Sequence, residues 1–187
     1  EEVIRNKLIV DEGDPYNKLL HNKSVNQIRS LGIFKSVNSE IINGSNINTK
    51  ILNISVEEKP TGEISLGAGY GTQGGVIGGS LTEKNFLGKG ITLDTDFQFS
   101  TEGVKGSLTY SKPNFNYTDN TLFTSLQSTT KDSLSDFGYK VSNIGVSAGT
   151  TFEQYENLYF SPELDFNIEE LKTNSSASSN LRKQEGT

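Results

Sequence analysis

Cysteine is absent from the 187 residues, so no disulfide framework, thiolate zinc site or cysteine nucleophile can be built. Histidine occurs once, at His21, which excludes a histidine-rich metal site. No run of 18 apolar residues is present, and mean hydropathy is −0.48 with 32% hydrophobic residues, so no transmembrane helix is encoded. Positive charge is in deficit. The chain has 17 Lys and Arg against 23 Asp and Glu, a formal net charge of −6, which leaves no basic footprint for nucleic acid. A signal peptide is lacking too: Glu1-Glu2 opens the chain without a basic n-region or an apolar h-region. The polar end, Asn174 to Thr187, and this start both read as cuts inside a larger protein. None of these absences excludes a membrane, because strands that cross one alternate apolar and polar residues and keep average hydropathy low.

What is present changes character near Pro60. Before it the pattern mixes helix and strand. Glu1 to Leu8 reads as the end of a short helix closing before the turn Asp11-Glu12-Gly13-Asp14-Pro15. A second helix is expected from Asn17 to Leu31, with Leu20, Val25, Ile28 and Leu31 near a 3.6 period and Gly32 at the C′ position. His21 is expected on its surface. Phe34 to Ile42 and Lys50 to Lys59 read as paired strands joined through Asn43-Gly44, with Leu52, Ile54 and Val56 on one face. Helices on one face of a small sheet make an α+β module over residues 1–59. Such a module normally has a further strand, which is expected to precede Glu1.

From Gly62 the alternation gives about seven strands, each near the ~10 residues that a tilted membrane strand needs. Ile91, Leu93, Thr95, Phe97 and Phe99 share one face, and Thr92, Asp94, Asp96, Gln98 and Ser100 the other. Val104 to Ser111, Ile144 to Phe152 and Leu158 to Ile168 repeat the pattern. Two folds share this signature. In a soluble sandwich the apolar face is the core, and in a membrane barrel it meets lipid while the polar face lines the lumen. Aromatics near strand ends (Tyr70, Phe86, Tyr110, Phe115, Tyr117, Phe152, Tyr155, Tyr159) resemble interfacial girdles. Alternation by itself leaves both open.

Certain segments recur in a recognisable order. They are Glu12-Gly13, Leu31-Gly32-Ile33-Phe34, Val56 to Thr61 leading into Gly62-Glu63-Ile64-Ser65-Leu66-Gly67-Ala68-Gly69-Tyr70-Gly71-Thr72, then Gly74-Gly75, Asn85-Phe86-Leu87-Gly88-Lys89-Gly90 and Lys112-Pro113-Asn114-Phe115. In this order and spacing they resemble the Omp85 family over nearly the whole chain. The resemblance implies that residues 1–59 are the last POTRA domain, an α+β module, lacking its first strand. Residues 62–170 would then be the opening strands of an all-β, transmembrane, antiparallel, 16-stranded barrel, present in part, and residues 171–187 the start of an external loop. It further implies insertion and folding of β-barrel proteins in the bacterial outer membrane, with the POTRA module in the periplasm. The implied partners are outer-membrane lipids, unfolded β-barrel client proteins and accessory lipoproteins of an assembly complex, with no cofactor and no nucleic acid. Another polypeptide-moving member of the family, such as a two-partner secretion transporter, is the alternative. A passive porin-like channel, which has no use for a POTRA module, and a soluble β-sandwich binding module lie further off.

No catalytic constellation is legible. Asp94 and Asp96 are paired carboxylates, yet as water-facing residues of a strand they need no acid–base role. Gly67 to Gly71 contains Gly-x-Gly but no helix is expected to follow, so a dinucleotide fingerprint is not met. Two features carry functional expectations from the resemblance. The glycine-rich strand Ser65, Leu66, Gly67, Ala68, Gly69, Tyr70, Gly71 and Thr72 is implied to be one side of a lateral gate where client strands pair. The bland reading is that its glycines relieve crowding in a curved wall. Glu12 is implied to dock an accessory lipoprotein, against the alternative of a solvated turn carboxylate.

Overall fold

The computed structural model describes residues 1–46, 48–71 and 74–186, with the backbone alone at Tyr117. It divides into two units, Glu1–Thr61 and Gly62–Thr187.

The first unit contains α1 (Glu2–Arg5), α2 (Lys18–Ser30), β1 (Phe34–Asn43) and β2 (Lys50–Glu58). Asn17 starts α2 because its side-chain oxygen accepts from the otherwise orphaned amides of Leu19 and Leu20, at 2.9 and 3.3 Å. Gly32 ends it at φ +69°, the left-handed conformation that a residue with a side chain resists. β1 and β2 pair antiparallel from Phe34↔Glu58 to Asn43↔Lys50. Val25, Ile28 and Val37 form the core, with Ile4, Leu8, Phe34, Ile54 and Val56 packed around them. Ile28 is wholly buried, and a side chain of that size contributes about 1.5–3 kcal/mol by leaving water.

The buried stripe of α2 is His21, Ser24, Val25 and Ile28, spaced i, i+3, i+4, i+7. The expectation that His21 lies on the helix surface is thereby corrected. Leu20, expected in the apolar face, is instead 38% exposed. Two polar residues belong to the packed stripe because each has a bonding partner there. His21 Nε2 lies 2.7 Å from Ser39 Oγ on β1. Ser24 Oγ accepts from the Ile9 amide at 2.9 Å and donates to the Leu20 carbonyl at 3.0 Å.

The second unit is an open antiparallel sheet. Its strands are β3 (Gly62–Gly71), β4 (Gly74–Phe86), β5 (Ile91–Ser100), β6 (Gly103–Lys112), β7 (Thr121–Ser133), β8 (Tyr139–Tyr155), β9 (Leu158–Phe160) and β10 (Glu163–Thr173). The order is β10-β8-β7-β6-β5-β4-β3, with β9 pairing the other end of β8. The segment Leu158–Ile168, expected as one strand, is interrupted at Ser161-Pro162, where proline has no amide to give the ladder. The Thr150 amide bonds the Pro162 carbonyl across the gap, at 3.2 Å.

Among the described residues this unit is a single layer. Along one rung, Ile64, Leu81, Thr95, Leu108, Leu126, Val146 and Phe166 lie side by side. Among the described residues of this unit no second layer covers this face: Ile64, Leu66, Phe99, Leu126, Ile144 and Phe166 are all exposed. Among the described residues of this unit, only Ile91 and Ala177 are buried hydrophobics. A sandwich would bury these side chains as its core; here they form a bare apolar face.

The tail departs from the expected polar loop. β10 continues to Thr173 and a helical turn, α3 (Ser179–Arg182), follows. Leu171 and Gly186 exchange backbone hydrogen bonds of 2.8 and 3.1 Å. Asn174 bonds the turn between β7 and β8: its amide reaches the Gly138 carbonyl and its side chain the Leu134 carbonyl, both at 2.9 Å. Hydrogen bonding compensates for the shortage of apolar side chains.

Candidate functional site

The site begins at the edge of the sheet. Ser65, Leu66, Gly67, Ala68, Gly69, Tyr70 and Gly71 all lie on β3, and Thr72 falls outside the described residues. β3 pairs with β4 in unbroken register from Gly62↔Glu83 to Gly71↔Gly74. It is the terminal strand of the order, and every residue along it is exposed. An extended strand paired on one side presents a row of backbone donors and acceptors on the other. Ile64, Leu66, Ala68 and Tyr70 give it an apolar face, while Glu63, Ser65, Gly67, Gly69 and Gly71 alternate with them.

The sheet behind this edge is two-sided. Its polar face carries the rungs Glu63, Thr82, Asp94, Thr109, Ser125, Ser147, Asp165 and Ser65, Ser80, Asp96, Ser107, Gln127, Gly145, Asn167. These side chains bond one another across strands. Thr82 donates to Asp94 at 2.7 Å, Ser125 and Ser147 share a 2.7 Å bond, and Lys84 pairs with Glu63 at 2.9 Å. Asp94 and Asp96 are thus members of a polar lining, and Asp96 accepts from Ser107 at 3.4 Å.

The apolar face is not level with the hydrogen bonds. On the rung Ala68, Ile77, Phe99, Val104, Thr130, Ser142, Glu170, the first four residues are apolar and the last three polar. On β3 the apolar residues run from Ile64 outward to Tyr70, whereas on β9 and β10 they run from Phe160 to Ile168 and stop before Glu170. The band crosses the ladder obliquely, as it must when strands are tilted to a membrane plane. Phe152 and Phe160 stack at the opposite end from Glu170, with centroids 6.3 Å apart.

Glu12, the other expected site residue, belongs to the first unit. Arg5 donates to Glu12 Oε1 at 3.0 Å and to Glu1 Oε1 at 3.1 Å. The two carboxylates, Glu1 first, hold the guanidinium above its ordinary pKa. The Glu12 side chain is 85% exposed, and an exposed pair of this kind is worth about 0–1 kcal/mol. Arg5 was not singled out from the sequence, and no spacing rule links positions seven apart across a turn.

Three comparisons bear on the whole. The POTRA family model, described as surface antigen variable number repeat, matches residues 1–59. The chain is 28% identical over 161 residues to outer membrane protein assembly factor BamA of Neorickettsia risticii (strain Illinois), a match covering 84% of this chain and 21% of that protein. It is 28% identical over 117 residues to BamA of Neisseria meningitidis serogroup B, covering 62% of this chain and 15% of that protein. The crystal structure of BamA from Haemophilus ducreyi lacking POTRA domains 1–3 superposes with a TM-score of 0.80 at 22% identity, covering 91% of this chain and 33% of that one. The chain therefore spans about a fifth of the length of the first of these curated relatives.

Proposed function

We propose that this chain, an Omp85-type fragment in which a POTRA module precedes outer-membrane strands similar to those of BamA, takes part in inserting and folding β-barrel proteins in the bacterial outer membrane. The module lies on the periplasmic side, so β3, which follows it at Gly62, starts there and rises outward. The bare apolar face meets lipid and the polar rungs line a water-filled interior.

What supports the reading is the order of the parts: a module matched by the POTRA family model at residues 1–59, followed directly by an antiparallel sheet with one apolar and one polar face that begins at β3. In lipid an unpaired peptide group costs several kcal/mol relative to a paired one. A client strand that pairs with β3 gains those bonds by β-augmentation, which drives insertion without a nucleotide. In the closed parent the same edge pairs with a distant strand. The glycines at 67, 69 and 71 weaken that seam, so opening it costs less than parting two side-chain-rich strands. Glu12 completes the reading as a docking residue for an accessory lipoprotein, since its exposed bond to Arg5 exchanges readily for a partner's guanidinium.

The test is a reversible lock. In the full-length parent, a cysteine at Ala68 is paired with one on the C-terminal strand. The oxidised protein is expected to lose client insertion and to regain it on reduction. Insertion at the normal rate in the locked form would overturn the gate and leave the glycines to barrel curvature.

A further inference from the structure

β3 is not uniform along its length. In its inner half, Glu63 pairs with Lys84 at 2.9 Å, and Leu66 faces Gly79 on β4. Gly79 also faces Phe97 on β5. A Cβ at Gly79 would lie 2.7 Å from Leu66 Cδ2 and 2.8 Å from Phe97 Cζ. The absent side chain therefore lets an aliphatic residue of β3 and an aromatic residue of β5 close over β4, covering the glycine from both sides.

In the outer half, Gly67 faces Gly78 and Gly71 faces Gly74. A Cβ at Gly67, Gly69 or Gly71 would meet nothing within 4 Å. Cross-strand side-chain pairs stiffen a sheet, and the Gly67–Gly78 rung has none. On the polar face a recess of about 610 Å³ opens at this rung, walled by Asp96, Gln98 and Lys105. The β3–β4 ribbon thus has free space on its polar side, while on its apolar side the Leu66 and Phe97 side chains converge over Gly79.

We propose that the Gly67–Gly78 rung is a crease. Phe97, acting through Leu66, holds the inner half of β3, while the outer half, Gly67–Gly71, bends toward the polar face. Phe97 is a positioning residue: its ring and the Leu66 side chain converge on the space over Gly79, and it acts on the edge strand, not on a client. For its use the inference rests on the edge reading above. The held half keeps register, and the compliant half adapts to an incoming strand.

The test is hydrogen exchange by mass spectrometry on the full-length parent in lipid vesicles. Protection of residues 67–71 is expected to be about tenfold weaker than that of 63–66, the factor that two facing glycines supply. Phe97→Ala should lower protection of 63–66 to the level of the outer half while leaving β6 and β7 unchanged, and Phe97→Leu should largely restore it. A general loss across β6 and β7 would instead mean that Phe97 only supports the fold, and would overturn the proposal. Gly67→Val, with Gly69→Val as a substitute if the first fails to fold, should raise protection of the outer half. Equal protection of the two halves in the unaltered protein also overturns the crease. Client insertion is measured on the same variants. Shifted exchange with unchanged insertion supports the crease and defeats the edge reading. Slowed insertion with unchanged exchange overturns the crease and leaves the edge reading standing.

Discussion

Leu126 and Gln127 are neighbours on β7 that point to opposite faces, and they isolate what a single side chain contributes. Leu126 stands on the rung with Leu108 and Val146, and Gln127 on the rung with Ser107 and Gly145. Leu126→Arg places a charge on the bare apolar face, at a cost of about 2–4 kcal/mol near the bilayer midplane. Gln127→Arg faces water and gives up one 3.3 Å bond to Asn167. The folded, heat-modifiable fraction of the parent in membranes should fall for Leu126→Arg and stay near normal for Gln127→Arg; the opposite ranking would reverse the two faces. At this scale alternation decides, since residues two apart on a strand share a face whatever the fold, although the segment Thr121–Ser133 was not singled out from the sequence. His21 shows where residue type misleads. A lone polar side chain reads as surface, but its hydroxyl partner, Ser39, is 18 positions away and invisible to local periodicity.

At the scale of elements, ends and connections carry the information. The α2 boundaries were legible because Asn17 and Gly32 have the chemistry that helix ends demand. The tail was not. Asn174 to Thr187 has the composition of a disordered segment, yet its described part is held by bonds to the β7–β8 turn and to β10. Gly138 is the contact point: it has φ +75°, and a Cβ there would collide with the Ala177 amide nitrogen. Gly138→Val should therefore release residues 174–186. In limited trypsin digestion of the parent, cleavage at Arg182 and Lys183 is expected to be slow in the unaltered protein and at least about tenfold faster in the variant. Equal rates would show that the tail is not held by this turn.

At the largest scale, the described strands of the second unit form a single open layer. Its exposed apolar face and its open β3 edge make this chain alone prone to associate in water. Sedimentation should give a single species in detergent above its critical concentration and a broad distribution of larger species without it. A monodisperse monomer in plain buffer would contradict the bare face. The sequence by itself determined most of the strands and which face their residues take, because a period of two is a local property of extended backbone; the break at Ser161-Pro162 and the extension of β10 to Thr173 were not legible in it. It also determined the family likeness, through glycine and aromatic segments in fixed order. Only the tertiary structure decided that the apolar face is uncovered, since a sandwich core and a lipid-facing wall have the same alternation. The oblique band likewise needed the register: Ala68 and Glu170 share a rung only after six strand pairings have accumulated. The convergence of Leu66 and Phe97 on Gly79 required three strands at once. Pairing register and close approach are sums over the whole ladder, and no window of sequence contains them.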